Sequence, residues 1–214
     1  MSHNQRMDRT LLSLLPEDLE DMRILDVGFG YGLNGLAIRT RKTGTPYLEG
    51  IDIFNPYVET QKKLGIFDKV IQGDARKLPY ESQSFDIVLA TAIIEHLEQK
   101  EGLNLLEELE RVSKNTIIVS TPYGYAPQEA CDENPHQKHL SGWIHEDFEE
   151  KGYTTITIDD ELTRSIKLID NLRRKIFNLP QRSRYIIAHK ILRCSIPTTA
   201  STMPLFCELS DKEK

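Results

Sequence analysis

The sequence has few of the features that mark secreted or membrane-spanning proteins. Its three cysteines, Cys131, Cys194 and Cys207, are an odd number and lie far apart, so they do not read as a disulfide framework. No apolar run approaches the roughly 20 residues that cross a bilayer, and the N-terminus shows no small-residue cleavage site of a secretory signal. From these absences we expect a cytoplasmic protein without a membrane segment.

Positive charge is also in short supply. The 214 residues carry 27 basic and 33 acidic side chains, which gives a formal net charge of -6. This balance disfavours a broad nucleic-acid surface. A basic run on a predicted helix keeps an RNA or another anionic acceptor open, although such charges usually form a solvated face. The run consists of Lys167, Arg173, Arg174, Lys175, Arg182 and Arg184. Nothing in the sequence indicates an oligomer.

Strand and helix patterns alternate along the first 120 residues. The predicted strands cover residues 23–27, 47–53, 69–72, 85–91 and 115–120. Helices are predicted between them, the first with one side formed by Leu33, Leu36, Ala37 and Thr40. This alternation predicts a parallel sheet with helices on both faces. Ligands of such sheets bind at the carboxyl ends of the strands, where the strand order reverses.

A glycine-rich turn follows the first strand. Residues 24–32 read ILDVGFGYG and place Gly28, Gly30 and Gly32 before a predicted helix. Such a turn lets the backbone approach an adenosine-type ligand, and the helix N-terminus attracts a carboxylate. Asp52 ends the second strand about 20 residues later, where a carboxylate can bind ribose hydroxyls. Asp74 follows the third strand at the same edge of the sheet.

Together with FDIVLATAIIEHL at residues 85–97, these segments resemble the class I S-adenosylmethionine-dependent methyltransferases. The resemblance implies an α/β, Rossmann-like fold with a seven-stranded, mostly parallel sheet and helices on both faces. It implies S-adenosylmethionine as cofactor, with Asp26 near its methionine end and Asp74 on the adenine amino group. The implied cofactor-binding residues are Asp26, Gly28, Gly30, Gly32, Asp52, Ile53, Asp74, Ala75 and Thr91. Phe29 departs from the family pattern, which has a smaller residue between the first glycines.

Other readings of the same residues stay open. Gly30-x-Gly32-x-x-Gly35 with Asp52 also fits an NAD-binding turn. That pattern normally begins directly after the strand, where Gly28 stands here, and it gives no role to Asp74. A non-catalytic protein that binds S-adenosylmethionine as a sensor or partner subunit is a further alternative. So is methylation of RNA or protein.

The acceptor side is predicted from the polar, aromatic loop at residues 121–141. Methyl transfer needs in-line positioning, and a base helps where the acceptor loses a proton. The predicted bases are His139, in this loop, and His96, after the fourth strand. We expect the acceptor to contact Tyr123, Tyr125, His136 and Trp143. No metal site is predicted, because the spacing of Cys131, His136, His139 and His145 matches no common zinc pattern.

Two absences favour a small-molecule acceptor. Thr91-Ala92-Ile93-Ile94 stands where enzymes acting on adenine or amide nitrogens have an Asn/Asp-Pro-Pro-aromatic tetrad. No cysteine directly follows the fourth or fifth strand to serve as the nucleophile of 5-methylcytosine chemistry. We therefore expect an oxygen or nitrogen acceptor, in a single domain over residues 1–194 with a tail at 195–214. Residues 6–120 form its predicted cofactor half, and residues 121–192, with a helix at 162–177, its acceptor side.

Overall fold

The computed structural model describes residues 10–131, 133–158 and 185–192. Seven strands of this part form one sheet in the order β3-β2-β1-β4-β5-β7-β6. Neighbouring strands among β1 to β5 are parallel, and β7 is antiparallel to both β5 and β6. Their bounds are β1 Arg23–Val27, β2 Tyr47–Asp52, β3 Lys69–Gln72, β4 Phe85–Thr91, β5 Ser113–Pro122, β6 Thr154–Ile158 and β7 Tyr185–Ile191. The predicted seven-stranded, mostly parallel sheet is confirmed.

Helices cover both faces of the sheet. They are α1 Leu33–Arg41, α2 Asn55–Leu64, α3 Gln99–Val112 and α4 His145–Glu149. One face packs against α1, α2 and the helical turn at residues 10–13, through side chains such as Leu12, Ile38 and Val58. The other face packs against α3 and α4 through Leu105 and Phe148. The central strands are buried on both faces, which explains their continuous apolar runs.

The orientation of α1 differs from the sequence prediction. Its buried residues are Gly35, Ala37 and Ile38, whereas Leu33 and Leu36 are 55% and 45% exposed. The helix lies close to its neighbours at Gly35, where an added Cβ would come within 2.8 Å of the Phe67 ring. This close packing sets the rotation of α1 and turns the two leucines outward.

The strand order reverses between β1 and β4. The chain adds β2 and β3 on one side of β1 and then crosses to place β4 on the other. Asp26 and Thr91, near the ends of these two strands, therefore flank the position where ligands bind in sheets of this kind.

Several sequence predictions lie outside the described residues. The helix at 162–177, the basic run on it and the tail at 195–214 belong to this group. The division into one domain with a cofactor half and an acceptor half stays a prediction. None of the helices in the described residues has the length and apolar character needed to cross a bilayer.

Candidate active site

The glycine turn is closely packed on one side and open on the other. Gly28 donates its backbone N–H to the Ile51 carbonyl at 2.8 Å and has a φ of 69°. A Cβ at Gly28 would lie 2.5 Å from Cδ1 of Ile93. Gly30 also has a positive φ, 52°, but a Cβ there would meet nothing within 4 Å. The space above Gly30 is therefore open to a ligand.

The Asp52 carboxylate is held by backbone N–H groups. Its Oδ2 accepts a hydrogen bond from Gly30 at 2.9 Å, and its Oδ1 accepts one from Phe54 at 2.8 Å. Burial raises the pKa of Asp52, and the N–H donors of Phe54 and Gly30 partly oppose that rise. Each carboxylate oxygen keeps a second lone-pair direction. The two oxygens are thus oriented and still able to accept bonds from hydroxyl groups.

A second cluster joins Asp26, Asn34 and Thr91. The Asn34 side-chain amide, in the first turn of α1, donates to Asp26 Oδ1 at 3.2 Å and to Thr91 Oγ1 at 2.7 Å. Asp26 is fully buried, and its Oδ2 finds no hydrogen-bond partner among the described residues. Burial raises the pKa of Asp26 to about 7. The cluster therefore presents a free carboxylate oxygen close to the glycine turn.

An aromatic cleft of about 240 Å³ lies beside the turn. Phe54 and Tyr57 form one wall with their ring centroids 5.0 Å apart, and Tyr31 contacts Tyr57 at 4.9 Å. The lining residues are Gly30, Tyr31, Phe54, Pro56, Tyr57, Thr60, Gln61 and Glu133. Since Glu133 belongs to the long loop, that loop reaches over the glycine turn.

The Asp74 carboxylate already accepts several hydrogen bonds within the protein, which the sequence did not indicate. Its carboxylate accepts bonds from the Arg76 guanidinium, at 2.6 Å from Nη2, and from the Arg76 backbone N–H at 2.9 Å. Arg76 also pairs with Glu101 on α3. The bonds from Arg76 lower the pKa of Asp74. A contact between Asp74 and an adenine amino group would have to share these oxygens with Arg76, while Ala75 packs against the core.

The chain after β4 holds the long loop in place. Ala92 has a φ of 50°, and a 3₁₀ turn follows at Ile94–His96. The Glu95 backbone carbonyl accepts the N–H groups of Leu140 at 2.8 Å and Ser141 at 3.1 Å. This pair of bonds fastens the loop to the segment that leaves the site.

The two predicted bases lie together at this junction. The rings of His96 and His139 have centroids 4.8 Å apart. Nδ1 of His96 bonds to the Lys138 carbonyl at 3.1 Å, and Nδ1 of His139 bonds to the Ala126 carbonyl. Because a carbonyl only accepts, each Nδ1 carries a hydrogen, and in the neutral form of each ring Nε2 keeps a lone pair. Burial lowers the pKa of His96, which keeps it neutral near pH 7.

Glu95 completes this cluster and was missed by the sequence prediction. Its side chain is 3% exposed, and its Oε2 has no hydrogen-bond partner among the described residues. Burial raises the pKa of Glu95 to about 7. One donor atom from each of Glu95, His96 and His139 lies within 4.8 Å of the other two. In the described part of the chain this is the one group of potential metal ligands, and Cys131 and His136 are outside it.

The remaining predicted acceptor residues occupy different environments. Tyr125 is 60% exposed, and its hydroxyl donates to the His139 carbonyl at 3.4 Å. Tyr123 contacts the His145 ring, with centroids 5.5 Å apart. His136 is exposed and interacts electrostatically with Asp52 and Asp74, which places it near the predicted cofactor residues.

Trp143 belongs to the hydrophobic core. It has no exposed surface, and its Nε1 donates to Ser141 Oγ at 2.9 Å. Its ring lies against α3 so closely that a Cβ at Gly102 would come within 2.3 Å of it. The expected direct contact between Trp143 and an acceptor does not fit this burial. Trp143 instead connects the end of the loop to α3, through its hydrogen bond to Ser141 and its packing against Gly102.

Comparison of the sequence with known proteins finds similarity to methyltransferases. Residues 25–119 match the family model described as "Methyltransferase domain". The chain is 35% identical over 114 residues to ajmaline N-methyltransferase of Rauvolfia serpentina, covering 49% of this chain and 38% of that protein. It is 30% identical over 141 residues to a probable pectin methyltransferase of Arabidopsis thaliana, covering 64% of this chain and 19% of that protein. The chain thus spans about two fifths and one fifth of the lengths of these relatives.

Solved structures share the fold. A methyltransferase from Archaeoglobus fulgidus described as S-adenosylmethionine-dependent aligns with a TM-score of 0.58 and 21% identity. The alignment covers 88% of this chain and 95% of that one. At this identity the likeness concerns the fold, and it agrees with the sheet order and the glycine turn described above.

Proposed function

We propose that this protein methylates an oxygen or nitrogen atom of a small-molecule acceptor, with S-adenosylmethionine as its cofactor. The match of residues 25–119 to a methyltransferase domain supports this proposal, and so does the fold shared with an S-adenosylmethionine-dependent methyltransferase. The observation that carries the proposal is the free, buried Oδ2 of Asp26 beside the glycine turn. A buried carboxylate oxygen without a partner is costly, and a cationic ligand group removes that cost.

The cofactor-binding residues have distinct roles in this proposal. Asp26 receives the ammonium group of the methionine moiety, and Asp52 receives the ribose hydroxyls through its remaining lone pairs. The cofactor backbone passes over Gly30, where the space is open. Ile53, Asp74 and Ala75 border the adenine ring. The remaining members of the predicted set shape the turn or its edge: Gly28, Gly32 and Thr91.

The acceptor binds between the segment after β4 and the long loop. Tyr125 and Leu140 are 60% and 42% exposed and give this rim an apolar surface. Such a surface suits an organic molecule better than a highly charged polymer. Ajmaline N-methyltransferase supports the same direction, because its name specifies a small molecule. The name of the other curated relative specifies pectin, a polysaccharide, and does not favour a small acceptor.

The cluster of Glu95, His96 and His139 activates the acceptor in this proposal. During transfer the acceptor atom forms a bond to the methyl carbon while the bond from that carbon to sulfur breaks. The acceptor must also lose a proton where it carries one. An Nε2 atom with a lone pair, on a ring whose Nδ1–H is bonded to a carbonyl, can accept this proton.

Calorimetric titration with S-adenosylmethionine, S-adenosylhomocysteine and NAD in parallel tests the cofactor part. Binding of the first two, followed by release of S-adenosylhomocysteine in an acceptor screen, is the expected result. Binding of NAD alone would overturn the proposal. Cofactor binding without turnover on any acceptor would support a sensor or partner subunit instead, and strongly salt-dependent RNA binding would support an RNA acceptor.

A further inference from the structure

We propose that Glu95, His96 and His139 form a binding site for a divalent transition-metal ion, with open coordination positions on the acceptor side. The three residues come from two segments that are more than 40 positions apart and that meet only in the folded chain. Their backbone bonds hold the segments together before any ion binds. The side chains are thus assembled by the fold rather than by chance proximity on a surface.

The spacing of the three donors suits a single ion. One donor atom from each residue lies within 4.8 Å of the other two. Metal bonds of about 2.0–2.2 Å put neighbouring ligand atoms roughly 3–4 Å apart. Small side-chain rotations therefore close the set around an ion without movement of the backbone.

Both histidines are oriented as metal ligands. The Nδ1–H of His96 bonds to the Lys138 carbonyl and that of His139 to the Ala126 carbonyl. Histidines that bind metals through one nitrogen nearly always donate the other N–H to a carbonyl or carboxylate, which fixes the ring and its tautomer. In the neutral form of each ring, these hydrogen bonds leave the Nε2 lone pair as the one available to an ion.

The Glu95 carboxylate provides an independent observation. It is 3% exposed, and its Oε2 has no partner among the described residues. The bonds that fasten the loop use the backbone carbonyl of Glu95, so they do not depend on its carboxylate. A cation at this position would pair with the buried oxygen and remove the cost of leaving it unpaired.

The donor types select the class of ion. Two imidazoles and one carboxylate suit Zn²⁺, Co²⁺, Fe²⁺ and Ni²⁺, whereas Mg²⁺ and Ca²⁺ prefer oxygen ligands alone. Three protein ligands of this kind occur in catalytic zinc sites, where a water or substrate takes the remaining position.

A bound ion would also give the acceptor side its chemistry, a step that rests on the proposed methyl transfer. An acceptor hydroxyl that coordinates the ion loses its proton to solvent more readily, since the ion stabilises the oxyanion. The oxygen then forms the C–O bond as the C–S bond breaks, and S-adenosylhomocysteine leaves. The histidines would in that case act as ligands rather than as bases.

Cobalt titration of the chelator-treated 214-residue protein without an affinity tag tests the site. Co²⁺ bound by imidazole and carboxylate gives a visible d–d absorption band that free Co²⁺ shows only weakly. We expect one Co²⁺ per chain, displacement by Zn²⁺ and at least about tenfold weaker binding of Mg²⁺.

Matched variants separate ligation from folding. Replacing His96→Asn and His139→Asn keeps a side-chain N–H for the carbonyl partner but removes Nε2, and Glu95→Gln keeps the side-chain shape. Each should weaken Co²⁺ binding at least about tenfold, in the range expected for a disturbed metal site. The controls His136→Ala and Cys131→Ser change exposed potential ligands outside the cluster and should keep full affinity.

Absence of a saturable Co²⁺ band, affinity that survives all three substitutions, or equal binding of Mg²⁺ would overturn the metal site. Calorimetry with S-adenosylhomocysteine on the same samples keeps the two proposals apart. A protein that binds the cofactor product but not Co²⁺ retains the proposed methyl transfer and loses only the metal site.

Discussion

Asp52 accepts the backbone N–H of Gly30 at 2.9 Å, although 22 residues separate them in the chain. The residue expected to bind the cofactor ribose therefore also holds the glycine turn in its shape. A single carboxylate connects the end of β2 to the turn after β1. A substitution that keeps the side-chain shape but replaces one oxygen therefore affects both roles at once.

The substitution Asp52→Asn should weaken binding of S-adenosylhomocysteine about 10- to 100-fold. It replaces one accepting oxygen by a donor that faces an N–H group, and hydrogen bonds to a charged group contribute about 1.5–3 kcal/mol. Calorimetry measures the change, and Glu59→Gln on the surface of α2 is the control. An affinity within twofold of the unmodified protein would show that Asp52 does not bind the cofactor.

The buried Asp26 should make stability depend on pH. Its folded pKa of about 7 is above the ordinary value of 3.8, because burial penalises the charged form. The free energy of unfolding is therefore unaffected by this group below pH 3.8, and it falls as the pH rises from there through 7. The substitution Asp26→Asn removes this loss. Relative to the unmodified protein, the variant should gain on the order of 2–3 kcal/mol between pH 5 and pH 8, at 1.36 kcal/mol per pKa unit. Urea denaturation at both pH values checks this, and an equal difference at both would contradict it.

Close packing at the glycine turn can be tested with a pair of alanines. Gly28 and Gly65 have φ values of 69° and 66°, but only Gly28 lies against a neighbour, Ile93. Both substitutions to alanine should cost about 1 kcal/mol for the left-handed backbone. Gly28→Ala should cost a further 1–3 kcal/mol or so for the collision. Urea denaturation measures both.

The added variant Ile93→Ala identifies the source of that extra cost. It removes the side chain that a Cβ at Gly28 would meet, so the double variant should recover most of the extra loss. If Gly28→Ala and Gly65→Ala were equally destabilising, the collision would be absent.

The position of Trp143 predicts a structural effect. The substitution Trp143→Phe removes the hydrogen bond to Ser141 Oγ and leaves unfilled space against α3. It should lower the free energy of unfolding by about 1–3 kcal/mol while cofactor affinity stays unchanged. Thermal denaturation and calorimetry together measure both quantities. A change in acceptor KM with unchanged stability would instead return Trp143 to the acceptor surface.

The sequence predicted the sheet well because its strands are apolar runs between clear turns. The bounds of β1, β3 and β4 agree residue for residue with the prediction. The prediction for the fifth strand, 115–120, was shorter than β5 because its polar ends carry no alternation. The prediction of which side of α1 is buried was wrong. The helix contacts Phe67 through Gly35, and a glycine gives no hydrophobic signal in the sequence.

The site was harder to predict than the sheet. Glycines and strand-end acids follow a known spacing, so Asp26 and Asp52 could be named from the sequence. Asn34 could not, because a polar residue in a first helical turn is ordinary and its two partners come from β1 and β4. Glu95 was overlooked for a similar reason: its burial depends on a loop that returns some 45 residues later.

The single tryptophan of the 214 residues has a practical consequence. All indole fluorescence of these residues arises from Trp143. Its ring has no solvent exposure, packs on α3 and donates a hydrogen bond to Ser141 at the end of the long loop. Its emission should be blue-shifted and shielded from iodide or acrylamide quenching while the loop is seated. Stopped-flow mixing with an acceptor would therefore show whether the loop moves, without any attached dye.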